Sequence, residues 1–99
     1  MLIGLAAACA TGPFTPRSSA TGVVIAANGP NAAQVDRFTL RTTSAGQVLE
    51  FVVGTLELTN GGLPAPHIRE HLVSGEPITV DYRVEDGQNI AIRYIDAVT

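Results

Sequence analysis

Apolar and polar residues alternate along much of this chain, and a period of two is the pattern of half-buried β-strands. The alternation covers four segments, at 35–43, 47–53, 76–84 and 88–97. A shorter apolar run at 21–27, rich in β-branched residues, predicts one further strand. The side chains predicted to face a common interior are Phe38, Leu40, Leu49, Phe51, Val53, Ile78, Val80, Tyr82, Val84, Ile90, Ile92 and Tyr94.

Turn-forming residues separate these segments and leave room for one helix. Ser44-Ala45-Gly46 and Asp86-Gly87 predict two hairpins, and a two-residue Asp-Gly loop is among the strongest short-range hairpin signals. Pro66 suits the first position of a helix, where a missing N–H costs nothing, and Gly75 suits its end. Between them, Ile68 and Leu72 are four residues apart and predict a buried stripe of the helix.

The predicted order is strand, strand, strand, helix, strand, strand, which resembles the OB-fold, a five-stranded, partly open barrel. We therefore predict a mainly β, OB-like barrel over residues 21–98, with one short helix between the third and fourth strands. The phrases FTLRTTSAGQVLEF, PHIREHL and PITVDYRVEDG are also similar to small, uncharacterised OB-like bacterial lipoproteins and periplasmic proteins. That resemblance implies a fold and a location outside the cytoplasm, and no ligand. A small open α+β sheet is the alternative architecture.

The N-terminus carries the run Leu5-Ala6-Ala7-Ala8-Cys9, in which small residues lead into the single cysteine of the chain. This run resembles the lipobox of bacterial lipoproteins, which implies lipidation of Cys9 and a membrane-anchored domain in the cell envelope. We expect a truncated signal at residues 1–9 and a flexible Thr/Ser/Pro/Gly-rich tether at 10–20. The alternative is an N-terminus that caps the domain, with Cys9 buried as a small hydrophobic residue.

Composition and charge narrow the set of partners. The net charge is −3, there is no lysine, and six arginines are interleaved with nine acidic residues, which argues against a nucleic-acid binder. No apolar stretch reaches the ~18 residues of a transmembrane helix. We expect a monomer whose partner, an unidentified protein or small ligand, meets the barrel face around Arg37, Arg41 and Arg83, or the loop at 60–66.

One motif carries candidate chemistry. His67-Ile68-Arg69-Glu70-His71 matches H-x-x-E-H, which supplies two zinc ligands and a general-base glutamate in one class of metallopeptidases. Side chains four apart on a helix lie on one face, so two imidazoles there can reach one ion.

Three interpretations of this motif are open. The short predicted helix and the few residues that follow it argue against a peptidase. A non-catalytic zinc site needs a third ligand, for which Glu57, Glu76 and Asp81 are candidates. The remaining interpretation is a solvated polar stripe on the exposed side of the helix. We predict a non-enzymatic, lipid-anchored binding domain without a cofactor, and metal binding through His67 and His71 is the alternative.

Overall fold

The computed structural model describes residues 17–97. Cys9, the predicted signal and most of the predicted tether lie outside the described residues. The elements are β1 (Ser18–Asn28), β2 (Arg37–Thr42), β3 (Val48–Val53), a 3₁₀ turn (Ala65–His67), α1 (Ile68–Ser74), β4 (Ile78–Glu85) and β5 (Gln88–Asp96). The predicted element order is confirmed, and β1 begins at Ser18, three residues before the predicted strand.

The five strands form a closed barrel in the order β1-β2-β3-β5-β4, and β4 pairs with β1 to complete it. Four of the pairings are antiparallel, and β3 pairs with β5 in parallel. β1 closes the barrel by pairing with two strands: its first residues pair with β4 and its later residues pair with β2. This is the predicted OB-like barrel, and closure excludes the open α+β sheet.

The barrel interior holds most of the residues that the alternation pointed inward. Phe38 and Phe51 stack with ring centroids 5.0 Å apart, and Phe51 packs against Tyr82 in a T-shaped arrangement with ring centroids 5.1 Å apart. α1 contributes Ile68, which is fully buried in the same cluster, and Leu72 packs against it. The fully buried large side chains are Tyr94, Phe38, Phe51, Leu40, Ile68, Ile78, Val24 and Val80.

Two predicted inward positions are wrong, and an irregularity in the β4–β5 ladder explains one of them. The register shifts between Asp81 and Tyr82, so Tyr82 faces Ala91 and not Ile92. An extra residue in one strand of a pair changes which side chains face the core. Ala91 consequently takes the core position, and Ile90 lies outside the core cluster. Val84 is 56% exposed because β4 extends there beyond its pairing with β1.

The helical segment closes one end of the barrel. It begins with the 3₁₀ turn, in which Pro66 occupies an early position, and it ends at Gly75, whose φ of 76° is the left-handed conformation that glycine adopts easily. The Gly75 N–H donates to the carbonyl of His71. Arg69 donates to the carbonyls of Asn31 and Gln34 and ties the β1–β2 loop to this end.

Candidate metal centre

The two histidines of the H-x-x-E-H motif come together where the 3₁₀ turn passes into α1. His67 is the last residue of the turn, and His71 lies one helical turn later. Their ring centroids are 5.0 Å apart, with an interplanar angle of 76°. The sequence spacing therefore does place both imidazoles on the same side of the helical segment.

His71 is buried, with only 3% of its surface exposed, so it does not belong to a solvated polar stripe. Its Nδ1 is 2.9 Å from the backbone carbonyl oxygen of Glu76, and its Nε2 is 2.7 Å from Oδ1 of Asp96. A carbonyl oxygen can only accept, so Nδ1 carries the proton of that hydrogen bond. Nε2 is then the nitrogen of His71 that is directed toward Asp96.

Asp96 is the acidic partner that sequence reasoning missed. The last residue of β5, it reaches the end of the barrel that α1 covers. One ligand atom from each of His67, His71 and Asp96 lies within 4.8 Å of the others. The alternation of apolar and polar residues placed Asp96 near the end of the last predicted strand. That pattern does not indicate which part of the fold the end of the strand contacts.

The three acids that the sequence suggested as a third ligand are placed differently. Glu57 pairs with Arg17 at 2.5 Å, and this contact holds the pKa of its carboxyl below the usual value. Asp81 pairs with Arg93 at 3.3 Å. Glu76 lines the same pocket as the histidines, but the contact it makes with His71 is through its backbone carbonyl.

The dimensions of the cluster suit an ion after small side-chain movements. A tetrahedral zinc ion with bonds of about 2.0–2.1 Å holds its ligand atoms roughly 3.3 Å apart. Asp96 would move away from His71 by about 0.6 Å, and the widest separation would close by about 1.5 Å. The side chain of Asp96 is 66% exposed and that of His67 is 30% exposed, so neither movement disturbs the core.

The surroundings of the cluster also favour a cation. A depression of about 250 Å³ adjoins it, lined by His67, Glu70, His71, Ser74, Glu76 and Asp96. Three acidic residues and no arginine or lysine line this depression, so its potential attracts positive charge.

Tyr94 supports the centre from the barrel interior. Its ring lies 6.5 Å from that of His71, and its hydroxyl donates to the carbonyl of Pro64 at 2.6 Å. Burial, and then the charges of Asp96 and Glu70, raise the pKa of the Tyr94 hydroxyl well above its ordinary value. The hydroxyl therefore stays neutral and fixes the chain just before the 3₁₀ turn that carries His67.

The arginines predicted to form a binding face do not converge. Arg37 faces Glu50 at 3.4 Å, and Arg83 faces Glu85 at 2.5 Å. Arg37 and Arg83 lie in one lateral row of the barrel wall, with β3 and β5 between them, so their backbones are about 14 Å apart measured along the curved sheet. Arg41 is four residues further along β2, about 13 Å from Arg37.

The chain matches no protein-family model and no curated protein. Within residues 17–97, no helix has both the length and the apolar character needed to cross a membrane.

Proposed function

We propose that this protein is a non-enzymatic binding domain of the cell envelope, and that its ligand is a divalent transition metal ion of the zinc class. The ion would be held by His67, His71 and Asp96. The observation that carries the proposal is the approach of three ligand atoms to within 4.8 Å, two from the helical segment and one from the end of β5, which is distant from it in the sequence.

The support for an ion extends beyond the three ligands. Metal-binding histidines usually donate their other ring N–H to a carbonyl or carboxylate, which orients the ring. His71 makes this contact with the Glu76 carbonyl, so its Nε2 is directed toward Asp96 and is the nitrogen that would bind the ion. The donor set of two imidazoles and one carboxylate is one that zinc accepts, with one further position for water or another ligand.

The first test is a zinc titration of the full-length protein after treatment with a chelator. We expect one ion per chain, measured by competition with a chromophoric chelator. His67→Ala and Asp96→Asn change ligands that lie outside the buried core, so both variants should fold and lose the ion. Asp36→Asn removes an exposed carboxylate outside the cluster and is the matched control.

Two results would contradict the metal proposal. One is the absence of stoichiometric binding by the wild-type protein. The other is equal affinity in Asp96→Asn, Asp36→Asn and the wild type. His71→Ala is less informative alone, because it also removes a buried ring and leaves the Glu76 carbonyl without its donor.

The location is a separate part of the proposal and rests on the lipobox-like run that ends at Cys9. We expect the protein to incorporate a radiolabelled fatty acid in cells and to fractionate with membranes, and Cys9→Ser to lose both properties. Recovery of the wild-type protein with an intact, unlipidated Met1 would contradict the anchor and leave the metal proposal untouched.

A further inference from the structure

Glu70 lies between the two histidines in the sequence but contacts only one of them. Its Oε2 is 3.3 Å from Nδ1 of His67, three residues earlier on the same helical segment. A general-base glutamate would have to face the ion and its bound water. Glu70 also lines the depression, but its carboxylate lies against Nδ1 of His67, and its side chain is 74% exposed.

Each histidine has an oxygen acceptor next to its Nδ1, at 2.9 Å for His71 and at 3.3 Å for His67. His71 has its Nδ1 against the Glu76 carbonyl, and His67 has its Nδ1 against the Glu70 carboxylate. Both partners accept a proton and cannot donate one when Glu70 is ionised. A neutral imidazole that keeps its proton on Nδ1 presents a free lone pair at Nε2, which is the form that binds a metal.

We propose that Glu70 is a positioning residue, which holds His67 through Nδ1 so that Nε2 of His67 binds the ion and a fourth coordination position stays open. This inference rests on the metal proposal. In this arrangement the glutamate of the H-x-x-E-H motif orients a ligand and does not act as a general base. Water or an added donor would occupy the fourth coordination position. Glu76 offers a comparison, since it is an acidic residue that lines the same depression and contacts a histidine ring only through its backbone carbonyl.

The first experiment compares zinc affinity in Glu70→Ala, Glu70→Gln and Glu76→Gln of the full-length protein. Loss of a partner that orients a ligand typically weakens binding by about 10–100-fold, which is the effect we expect for Glu70→Ala. The glutamine in Glu70→Gln keeps an oxygen that can accept from Nδ1, so we expect its affinity to match that of Glu76→Gln, which removes the same charge. An unchanged affinity in Glu70→Ala would overturn the inference. A loss in Glu70→Gln as large as that in Glu70→Ala would show that Glu70 is itself a ligand, and would also overturn it.

A second experiment needs no metal and separates this inference from the metal proposal. The ring nitrogens of His67 report its tautomer by ¹⁵N NMR in the chelator-treated protein, at a pH near 9 where a histidine side chain is neutral. We expect the proton on Nδ1 in the wild type and in Glu70→Gln, and a shift toward the Nε2–H form in Glu70→Ala. An Nε2–H form of His67 in the wild type would overturn the positioning role, whether or not zinc binds.

A third measurement addresses the open position. With Co²⁺ in place of zinc, we expect added imidazole to change the visible absorption of the complex as it enters the fourth position. A spectrum that does not respond to imidazole would show a closed coordination sphere and contradict that part of the inference.

Discussion

Single side chains connect the barrel core to the candidate centre, and Tyr94 is the clearest example. Its ring is in the core, and its hydroxyl donates to the carbonyl of Pro64, directly before the 3₁₀ turn. A buried polar atom that lost its partner would cost free energy, so this hydrogen bond fixes where the turn begins. His71 has the same character, since its buried ring donates through Nδ1 to the Glu76 carbonyl and directs Nε2 toward Asp96.

Tyr94→Phe tests the contribution of that hydroxyl. The variant leaves the Pro64 carbonyl without its donor, and we expect the free energy of unfolding to fall by about 1 kcal/mol, or Tm by roughly 4–8 °C. Thermal unfolding followed by circular dichroism measures this change. Tyr82→Phe is the control, because Tyr82 is half-buried and packs on Phe51 through its ring. Equal shifts in the two variants would contradict the expectation.

The raised pKa of Tyr94 predicts a loss of stability in alkali. Tyrosine in an unfolded chain ionises near pH 10. Below that pH the residue is neutral in both states, and its contribution to stability is fully present. Above it, the unfolded state releases a proton that the native state retains, so the free energy of unfolding falls as pH rises from about 10 toward the higher native pKa.

Urea unfolding at pH 9, 10 and 11, with a chelator present, measures this dependence. We expect a steeper decline in the wild type than in Tyr94→Phe. Parallel declines in the two proteins would show that the native hydroxyl is not protected from ionisation.

At the scale of secondary-structure elements, β1 decides whether the barrel can close. Gly22 is the residue at which β1 passes from pairing with β4 to pairing with β2, and it faces Ile78 on one side and Thr42 on the other. A Cβ atom at this position would lie 2.2 Å from the carbonyl oxygen of Arg41. Only glycine allows the two backbones to approach so closely.

Gly22→Ala should therefore be strongly destabilising. The clash is with backbone on the neighbouring strand, so we expect a loss of about 2 kcal/mol or more, and a fall in Tm of roughly 8–16 °C. Gly54→Ala is the control, because a Cβ there would meet Ile90 at an ordinary contact distance of 3.5 Å. A smaller loss in Gly22→Ala than in Gly54→Ala would contradict the role of Gly22 in closure.

On the scale of the whole molecule, the candidate centre connects the helical segment to the end of β5, the last strand. α1 covers one end of the barrel, and β5 completes the barrel between β3 and β4 and ends beside α1. An ion bound to His67, His71 and Asp96 would join the helical segment to the end of β5. Because such a site forms only in the folded chain, binding adds directly to the free energy of unfolding.

Zinc should accordingly raise the thermal stability of the protein. At a free ion concentration 100-fold above Kd we expect about 2.7 kcal/mol of added stability, or a rise in Tm of roughly 10–20 °C. Differential scanning calorimetry with zinc and then with excess chelator measures the rise and its reversal. Asp96→Asn should show neither, and a rise of equal size in that variant would mean that the ion binds elsewhere.

Local sequence patterns predicted most of the fold and part of the centre. Alternation pointed correctly to Phe38, Leu40 and Phe51 as core residues, because a strand with one apolar face has only one way to bury it. The Asp86-Gly87 turn is also confirmed, with φ of 50° and 76°. The pattern was wrong for Ile90, because a register shift between strands is a property of the pair and leaves no mark in either strand alone.

The sequence by itself determined the order of the elements and the pairing of His67 with His71, since the four-residue spacing on one helical segment requires neither a sheet nor a partner strand. Only the tertiary structure decided that the barrel closes, that His71 is buried, and that Asp96 completes the cluster. These features depend on contacts between residues far apart in the chain. Periodicity reports which face of a strand is apolar, and packing of the whole barrel decides where that strand ends and what it meets.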